Sequence, residues 1–279
     1  MAERIPVSVL VPTKDEERNI ADCLSSLEAF SEVIVIDSSS ADRTAEVARA
    51  KGARVVDFQW NGRYPRKKQW ALEHVEFSHQ WVLLVDADER VTEELAAEIA
   101  EVVARPRCHG YFATLDYVFL GHLLRHGHRV HKLVLFDRTV AEFPEHSDLD
   151  IVTAGDNEVH VHAQFPGKPG LLTGRLLHDD HDTLFHYFDR HNRYSDWEAK
   201  LRLLGELPLR DELQPGTRGL QKRIFNAVPF KGPLAFMAFY FGRLGFLDGR
   251  AGYHYALAKA FYYWQIRVKQ LELEEASRR

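Results

Sequence analysis

Trp81-Val82-Leu83-Leu84-Val85-Asp86-Ala87-Asp88-Glu89-Arg90 decides how this chain is read. Five apolar residues in a row, three of them β-branched or aromatic, suit a strand buried on both faces. The run then gives way to two carboxylates one residue apart. If the chain stays extended, positions 86 and 88 project to the same side, and such a pair can share a divalent ion and a ribose. Hard oxygen ligands suit Mg²⁺ or Mn²⁺ and leave coordination positions for phosphate oxygens. A solvated acidic turn ahead of a helix explains the same residues, and a triplet alone favours that plainer reading. The flanking sequence shifts the balance.

Upstream, Val7 to Val11 is a second buried strand, closed by Pro12, and Ile20, Cys23, Leu24 and Leu27 follow at helical spacing. Val33 to Ile36 is a third, closed by Asp37 and three serines. Asp42 is placed to cap a helix through Thr44, Val47 and Ala48 that stops at Gly52. Val55-Val56 reads as a short strand, Trp70 to Val75 as a helix, and Thr92 starts another that ends before Pro106. This alternation predicts an α/β fold with a mostly parallel central sheet flanked by helices. In such sheets ligands bind beyond the carboxyl ends of the strands. The polar clusters 13–17, 37–42 and 86–90 all fall at those ends.

Downstream, Tyr111 to Leu115 and Lys132 to Phe136 alternate as strands, and from His178 onward the pattern is helical, with breaks at 208–219, Pro229 and Gly232-Pro233. The expected organisation is a nucleotide-binding half over 1–105, a catalytic, acceptor-side half over 106–200, and a helical extension over 201–279. Hydrophobic residues make up 45% and net charge is −5, so the balance of charge does not point to nucleic acid. Cys23 and Cys108 lack metal-ligand spacing and read as free thiols in a reducing compartment. The first residues lack a leader pattern and no run of about 18 apolar residues occurs, so the expectation is a cytoplasmic protein.

Three segments together resemble glycosyltransferase family 2, of GT-A fold: Val9 to Glu17, Val33 to Ser38 followed by Asp42-Arg43-Thr44, and Val85 to Glu89. The resemblance covers roughly residues 5 to 200. It implies a nucleotide-sugar pocket lined by Pro12, Thr13, Glu16 or Glu17, Asp37, Asp86 and Ala87, with Asp37 on the nucleobase. Asp86 would hold the ribose or metal, and Asp88 would ligate Mn²⁺ or Mg²⁺ bridging the diphosphate. The nearest resemblance is to the bacterial lipopolysaccharide core β-glucosyltransferase branch, in which an arginine stands where this chain has Lys68. A lysine keeps the positive charge and loses the bidentate fork. Such a transferase needs a base to deprotonate the acceptor. Glu145 is the candidate, in competition with Glu142, Asp148 and Asp150, and a merely charged loop is the alternative. Leu176-Leu177-His178-Asp179-Asp180 offers a late histidine, His178, as a metal ligand, or else a helix start whose acids complement the dipole. Arg193 either reaches phosphates or forms a surface ion pair.

Aromatic residues crowd 225–264, and basic residues dominate between Arg218 and Arg250. That mixture suits a segment lying on an anionic membrane surface, over residues 218–264. A helical subdomain packing against the sheet or another subunit explains it equally well. Gly245 to Gly252 resembles a turn of the lipopolysaccharide branch and favours a lipid-linked acceptor. The expected function is a metal-dependent, inverting transfer of a sugar, from a UDP-sugar in the first instance, to a lipid-linked saccharide at the inner face of the membrane. The competing readings are a non-catalytic nucleotide-sugar-binding scaffold and a nucleotidyltransferase. The latter needs a glycine-rich loop where Pro12-Thr13-Lys14-Asp15 stands.

Overall fold

The computed structural model describes residues 4–128, 130–144, 162–204 and 231–278. These divide into two compact units, one formed by 4–116, 130–144 and 162–182, the other by 117–128, 183–204 and 231–278.

The first unit is built on the predicted apolar runs. β1 (Ile5–Thr13), β2 (Phe30–Asp37), β3 (Arg54–Asp57) and β4 (Trp81–Leu84) lie in the order β3-β2-β1-β4, all parallel. Val9, Val11, Ile34, Val35, Ile36, Val82 and Leu83 are fully buried. Neighbouring residues on a strand face opposite sides, so consecutive buried positions mean the sheet is covered on both faces. Helices α1 (Ile20–Ser25), α2 (Thr44–Ala50), α3 (Lys67–His74) and α4 (Glu93–Ala104) connect or follow these strands. Thr92 caps α4, its side chain accepting from the Leu95 N–H at 3.2 Å.

Beyond β4 the sheet changes direction. β5 (Glu89–Val91), β6 (Gly110–Phe119), β8 (Val130–Asp137) and β9 (Gly170–His178) extend it in the order β4-β8-β6-β9-β5. The pairs β4–β8, β6–β8 and β5–β9 are antiparallel. The parallel sheet read from the sequence is thus its first four strands, and the whole sheet is mixed. Antiparallel pairing needs no crossover helix, which is why the middle segment lacks the strand–helix rhythm. α4 lies so close to β9 that a Cβ on Gly174 would stand 2.5 Å from the Leu95 Cα.

His178 ends β9, and the next helix, α5 (Leu184–Leu204), begins six residues later. The helix start expected around His178 is therefore a strand end. Its pairing with β5, with Glu89 opposite His178, accounts for the difference.

The second unit contains the end of β6, with Tyr117–Phe119 paired to β7 (His122–Leu124), together with α5 and the helices α6 (Lys231–Met237) and α7 (Gly249–Ala276). A π-helical turn (Ala238–Gly242) and a 3₁₀ turn (Gly245–Asp248) join α6 to α7. Its core gathers Phe119, Leu124, Tyr187, Ala251, Tyr255 and Ala258. Among the described residues, no helix is long and apolar enough to cross a membrane.

Candidate functional site

The parallel register sets the carboxyl ends of β1 and β2 side by side, with Thr13 opposite Asp37. Both are buried, and the Thr13 hydroxyl donates to Asp37 Oδ1 at 3.1 Å. Asp37 also accepts from the Ser40 hydroxyl at 2.5 Å and, through Oδ2, from the Ser40 N–H at 2.9 Å. The two loops beyond these strands are knitted together. Asp15, in left-handed backbone (φ 55°), donates its N–H to Ser40 Oγ and accepts from the Ala41 N–H at 2.7 Å. The Glu16 N–H donates to Thr44 Oγ1 at 2.8 Å, and the Glu17 N–H to Asp42 at 3.0 Å. Asp42 also accepts from the Thr44 N–H, a turn bond just ahead of α2; the N-cap itself is Arg43, without a side-chain cap, so Asp42 is not the cap expected.

At the end of β4 the chain does not stay extended. The Glu89 N–H donates to the Asp86 carbonyl at 2.9 Å, closing a turn through Ala87 and Asp88. The turn sends the two aspartates to different partners. Asp86 meets the Lys132 ammonium on β8 at 2.6 Å, and the same ammonium meets Glu89 at 2.5 Å. Glu89 is buried and its Oε2 also accepts the Asp86 N–H at 2.8 Å. Asp88 instead approaches His178, with Oδ1 3.5 Å from Nδ1. Arg90 staples the turn by donating to the carbonyls of Ala87 and Glu89.

The electrostatics follow from this packing. Enclosure by protein would by itself raise the Asp86 pKa, although 45% of its side-chain surface stays open. The charges of Lys132, then Lys68, outweigh that and hold it down at about 2. Burial dominates at Glu89 and raises its pKa to about 7; Lys132 opposes the rise while Asp86 and Asp88 add to it. Burial alone would depress Lys132, but Asp86 and Glu89 together raise it, so it remains charged.

α3 supplies two more cations. Lys67, buried, donates to the Thr13 carbonyl at 3.1 Å. Lys68 lies 6.0 Å from the Phe143 ring, and its charge acts on Asp86. Gln69 accepts the Phe143 N–H at 2.8 Å and so ties α3 to residues 142–144. Asn19 performs a similar task on the far side: its amide donates to Glu16 and Asp180 and accepts the His181 N–H at 2.9 Å. That ties the chain just after His178 to the loop after β1.

Of the residues expected in the site, Thr13 and Asp37 are brought together, Asp86 sits with Lys132, Asp88 sits with His178, and Lys68 is within electrostatic reach of Asp86. Pro12 pairs with Ile36 in the register of β1 and β2, and Ala87 is buried within the turn. Glu145, Asp148 and Asp150 lie outside the described residues. Glu142 alone among the base candidates lies inside them, bridged to Gln164 and lining a cavity of about 480 Å³ with Val140, Pro144 and Phe165. Arg193 is paired with Asp189 at 2.7 Å, one helical turn away. Lys132, Lys67, Glu89 and Asn19 are the participants not foreseen as site residues. Lys132 gave little signal: Leu133 and Leu135 on one face and Val134 and Phe136 on the other are all buried, so alternation does not say which way the lysine points.

One carboxylate and one imidazole are a competent pair for Mn²⁺ or Mg²⁺ when phosphate oxygens and water complete the shell. Asp88 and His178 fit that requirement. Among the described residues no set of three His, Cys, Asp or Glu side chains could hold a metal by itself.

A mixed α/β sheet with acidic and basic side chains gathered at the strand ends is the arrangement of a GT-A glycosyltransferase. Residues 8–156 match the model of glycosyl transferase family 2, and the chain belongs to that family. It is similar to LpsC, a lipopolysaccharide core biosynthesis glycosyltransferase of Rhizobium meliloti, with 25% identity over 93% of this chain and 92% of the relative. Among solved structures it is similar to the mannosyltransferase PcManGT of Pyrobaculum calidifontis, determined with GDP-Man and Mn²⁺. That match has a TM-score of 0.51 and 17% identity, over 97% of this chain and 88% of that one. A shorter match is to glucosyl-3-phosphoglycerate synthase of Mycobacterium tuberculosis, with 24% identity and a TM-score of 0.33. It spans 40% of this chain and 43% of the synthase.

Proposed function

We propose that this glycosyltransferase moves a sugar from a nucleotide-sugar, a UDP-sugar in the first instance, to a lipid-linked saccharide of the cell envelope, with inversion at the sugar carbon. The observation that carries the donor assignment is the division of labour at the turn after β4. Asp86 is held ionised by Lys132 and is suited to accept a ribose hydroxyl. Asp88 lies against His178, where the two would hold Mn²⁺ or Mg²⁺. When bound, such an ion supplies positive charge to the departing diphosphate.

The chain's own residues do the rest. Asp37, oriented by Thr13 and Ser40, receives a base N–H, with Pro12, Ala87 and the Glu16-Glu17 segment shaping the pocket around base and ribose. Lys68 adds charge for the phosphates as a point cation. Glu145 is the proposed base that takes the acceptor hydroxyl proton while that oxygen attacks the sugar carbon and the nucleoside diphosphate leaves. The similarity to LpsC supports a lipopolysaccharide-type acceptor, and a lipid-linked acceptor of that kind would be met by a peripheral protein on the inner face of the membrane.

Purified protein incubated with UDP-sugars or GDP-sugars, Mn²⁺ and a lipooligosaccharide acceptor tests the reading. Release of nucleoside diphosphate coupled to sugar incorporation is expected. A chain that binds nucleotide-sugars but turns none over, with or without acceptor, would instead be the non-catalytic scaffold.

A further inference from the structure

The turn between α6 and α7 presents Met237, Phe241, Leu244, Phe246, Leu247 and Tyr253, each between 42% and 56% exposed. The aromatic members are joined: Tyr240 lies 6.2 Å from Phe246 and 5.8 Å from Tyr253 between ring centroids, and Phe241 lies 6.5 Å from Phe246, while backbone bonds from Leu244 to Phe241 and from Leu247 to Leu244 hold the leucines in the same turn. Contiguous apolar surface of this kind marks a place where something docks.

The patch is held outward by a rigid mount. Asp248 accepts the N–H groups of Arg125 and His126 at 3.0 Å, and the Gly127 N–H donates to the Arg243 carbonyl at 2.9 Å. Gly245 and Gly252 meet so closely that a Cβ on Gly252 would stand 1.9 Å from the Gly245 carbonyl oxygen. A turn pinned in this way cannot fold its aromatics inward.

Charge selects the occupant. Between Lys231 and Leu271 the sequence contains one acid, Asp248, and six lysines and arginines, of which Lys231 is buried, Arg267 pairs with Glu274 and Lys269 with Asp196. That acid is turned inward onto two backbone N–H groups, so its charge is spent within the fold. Arg243 and Arg250 flank the apolar residues, and Arg250 is exposed. The acids of α7 begin at Glu272, about 36 Å along the helix from Asp248. Apolar side chains bordered by arginines, with carboxylates kept distant, complement an anionic lipid surface.

We propose that Phe241–Leu247 is a membrane-docking tip that inserts its apolar side chains among the headgroups of an anionic bilayer, with Arg243 and Arg250 on the phosphates. This rests on the peripheral-membrane reading above and names the segment that carries it, but it does not depend on the transfer chemistry.

The test is sedimentation of the full chain with phosphatidylcholine vesicles, with and without a quarter of phosphatidylglycerol. The wild-type chain pellets with the anionic vesicles and remains in solution with the neutral ones. Replacing Phe241, Phe246 and Leu247 together by serine lowers binding by about tenfold or more. Arg243→Gln and Arg250→Gln each lower it by about fivefold and weaken its salt dependence. Phe246→Trp emission shifts to the blue on anionic vesicles, which reports insertion even if the triple variant folds poorly. The proposal is overturned if the wild-type chain ignores anionic vesicles, or if the serine variant folds and binds as well as wild type. It is equally overturned if the chain dimerises without lipid and the serine variant abolishes that dimer.

Discussion

Replacing Lys132 by methionine removes a cation that contacts both Asp86 and Glu89, at 2.6 and 2.5 Å. Lys132 is 15% exposed and Glu89 3%, so the Glu89 bond is made away from water. Breaking a buried pair typically costs about 3–5 kcal/mol, because a charge is left behind. Two features reduce that figure. Asp86 keeps open surface and is resolvated, so its share falls toward that of an exposed pair. Glu89, with a pKa raised to about 7, escapes by taking a proton. The expected loss is about 2–3 kcal/mol at pH 8 in metal-free buffer. The sign of the pH dependence follows from Glu89. Below pH 7 it is neutral in the wild type as well, so the lysine has less to offset and the variant's deficit shrinks. Between pH 8 and pH 6 the deficit therefore shrinks. Urea unfolding of wild type and Lys132→Met at both pH values measures it. A deficit below about 0.5 kcal/mol at pH 8, or one that grows on acidification, would refute the reasoning.

Other consequences are independent of that one. Glu32 accepts from the Ser8 hydroxyl and from the N–H and hydroxyl of Ser78, bonds that outweigh its burial and lower its pKa below the ordinary 4.5. Its contribution is present above pH 4.5 and is lost as pH falls through the lowered value. The stability advantage of wild type over Glu32→Gln is therefore flat near neutrality and disappears on acidification, as thermal melts across pH will register. Gly174→Ala drives a methyl group into the Leu95 backbone and costs about 1–3 kcal/mol in urea unfolding; a neutral result would mean that α4 does not lie against β9. Asn19→Ala releases Asp180 and His181 from the loop after β1, so Mn²⁺-dependent nucleotide affinity falls more than global stability does. Calorimetric titration beside a thermal melt separates the two.

The parallel half of the fold was legible because both faces of β1, β2 and β4 are buried, and such strands are written as unbroken apolar runs such as Val33 to Ile36. The antiparallel half was less so. The neighbours β8, β6, β9 and β5 are not ordered along the chain, and Leu176-Leu177-His178 reads as readily as a helix start as a strand end. In the site, the fall of three polar clusters at strand ends, with the family resemblance, singled out Thr13, Asp37, Asp86 and Asp88, which the acidic triplet alone did not. Lys132 was hidden by distance: 46 residues separate it from Asp86, and pairing of β8 with β4 brings them together. The turn at Ala87-Asp88 was hidden for another reason. Extended and turned backbones accept the same Asp-Ala-Asp triplet, and the Glu89 N–H bond to Asp86 is visible only in three dimensions.

The central claim is that Asp88, with His178, holds the divalent ion through which a nucleoside diphosphate binds. Thermal-shift titration with UDP and GDP, with and without Mn²⁺, on wild type and Asp88→Ala tests it most directly. The account predicts that a diphosphate raises the melting temperature only when Mn²⁺ is present, and that Asp88→Ala abolishes this increment. An equal increment in the variant, or one indifferent to Mn²⁺ in the wild type, would contradict it.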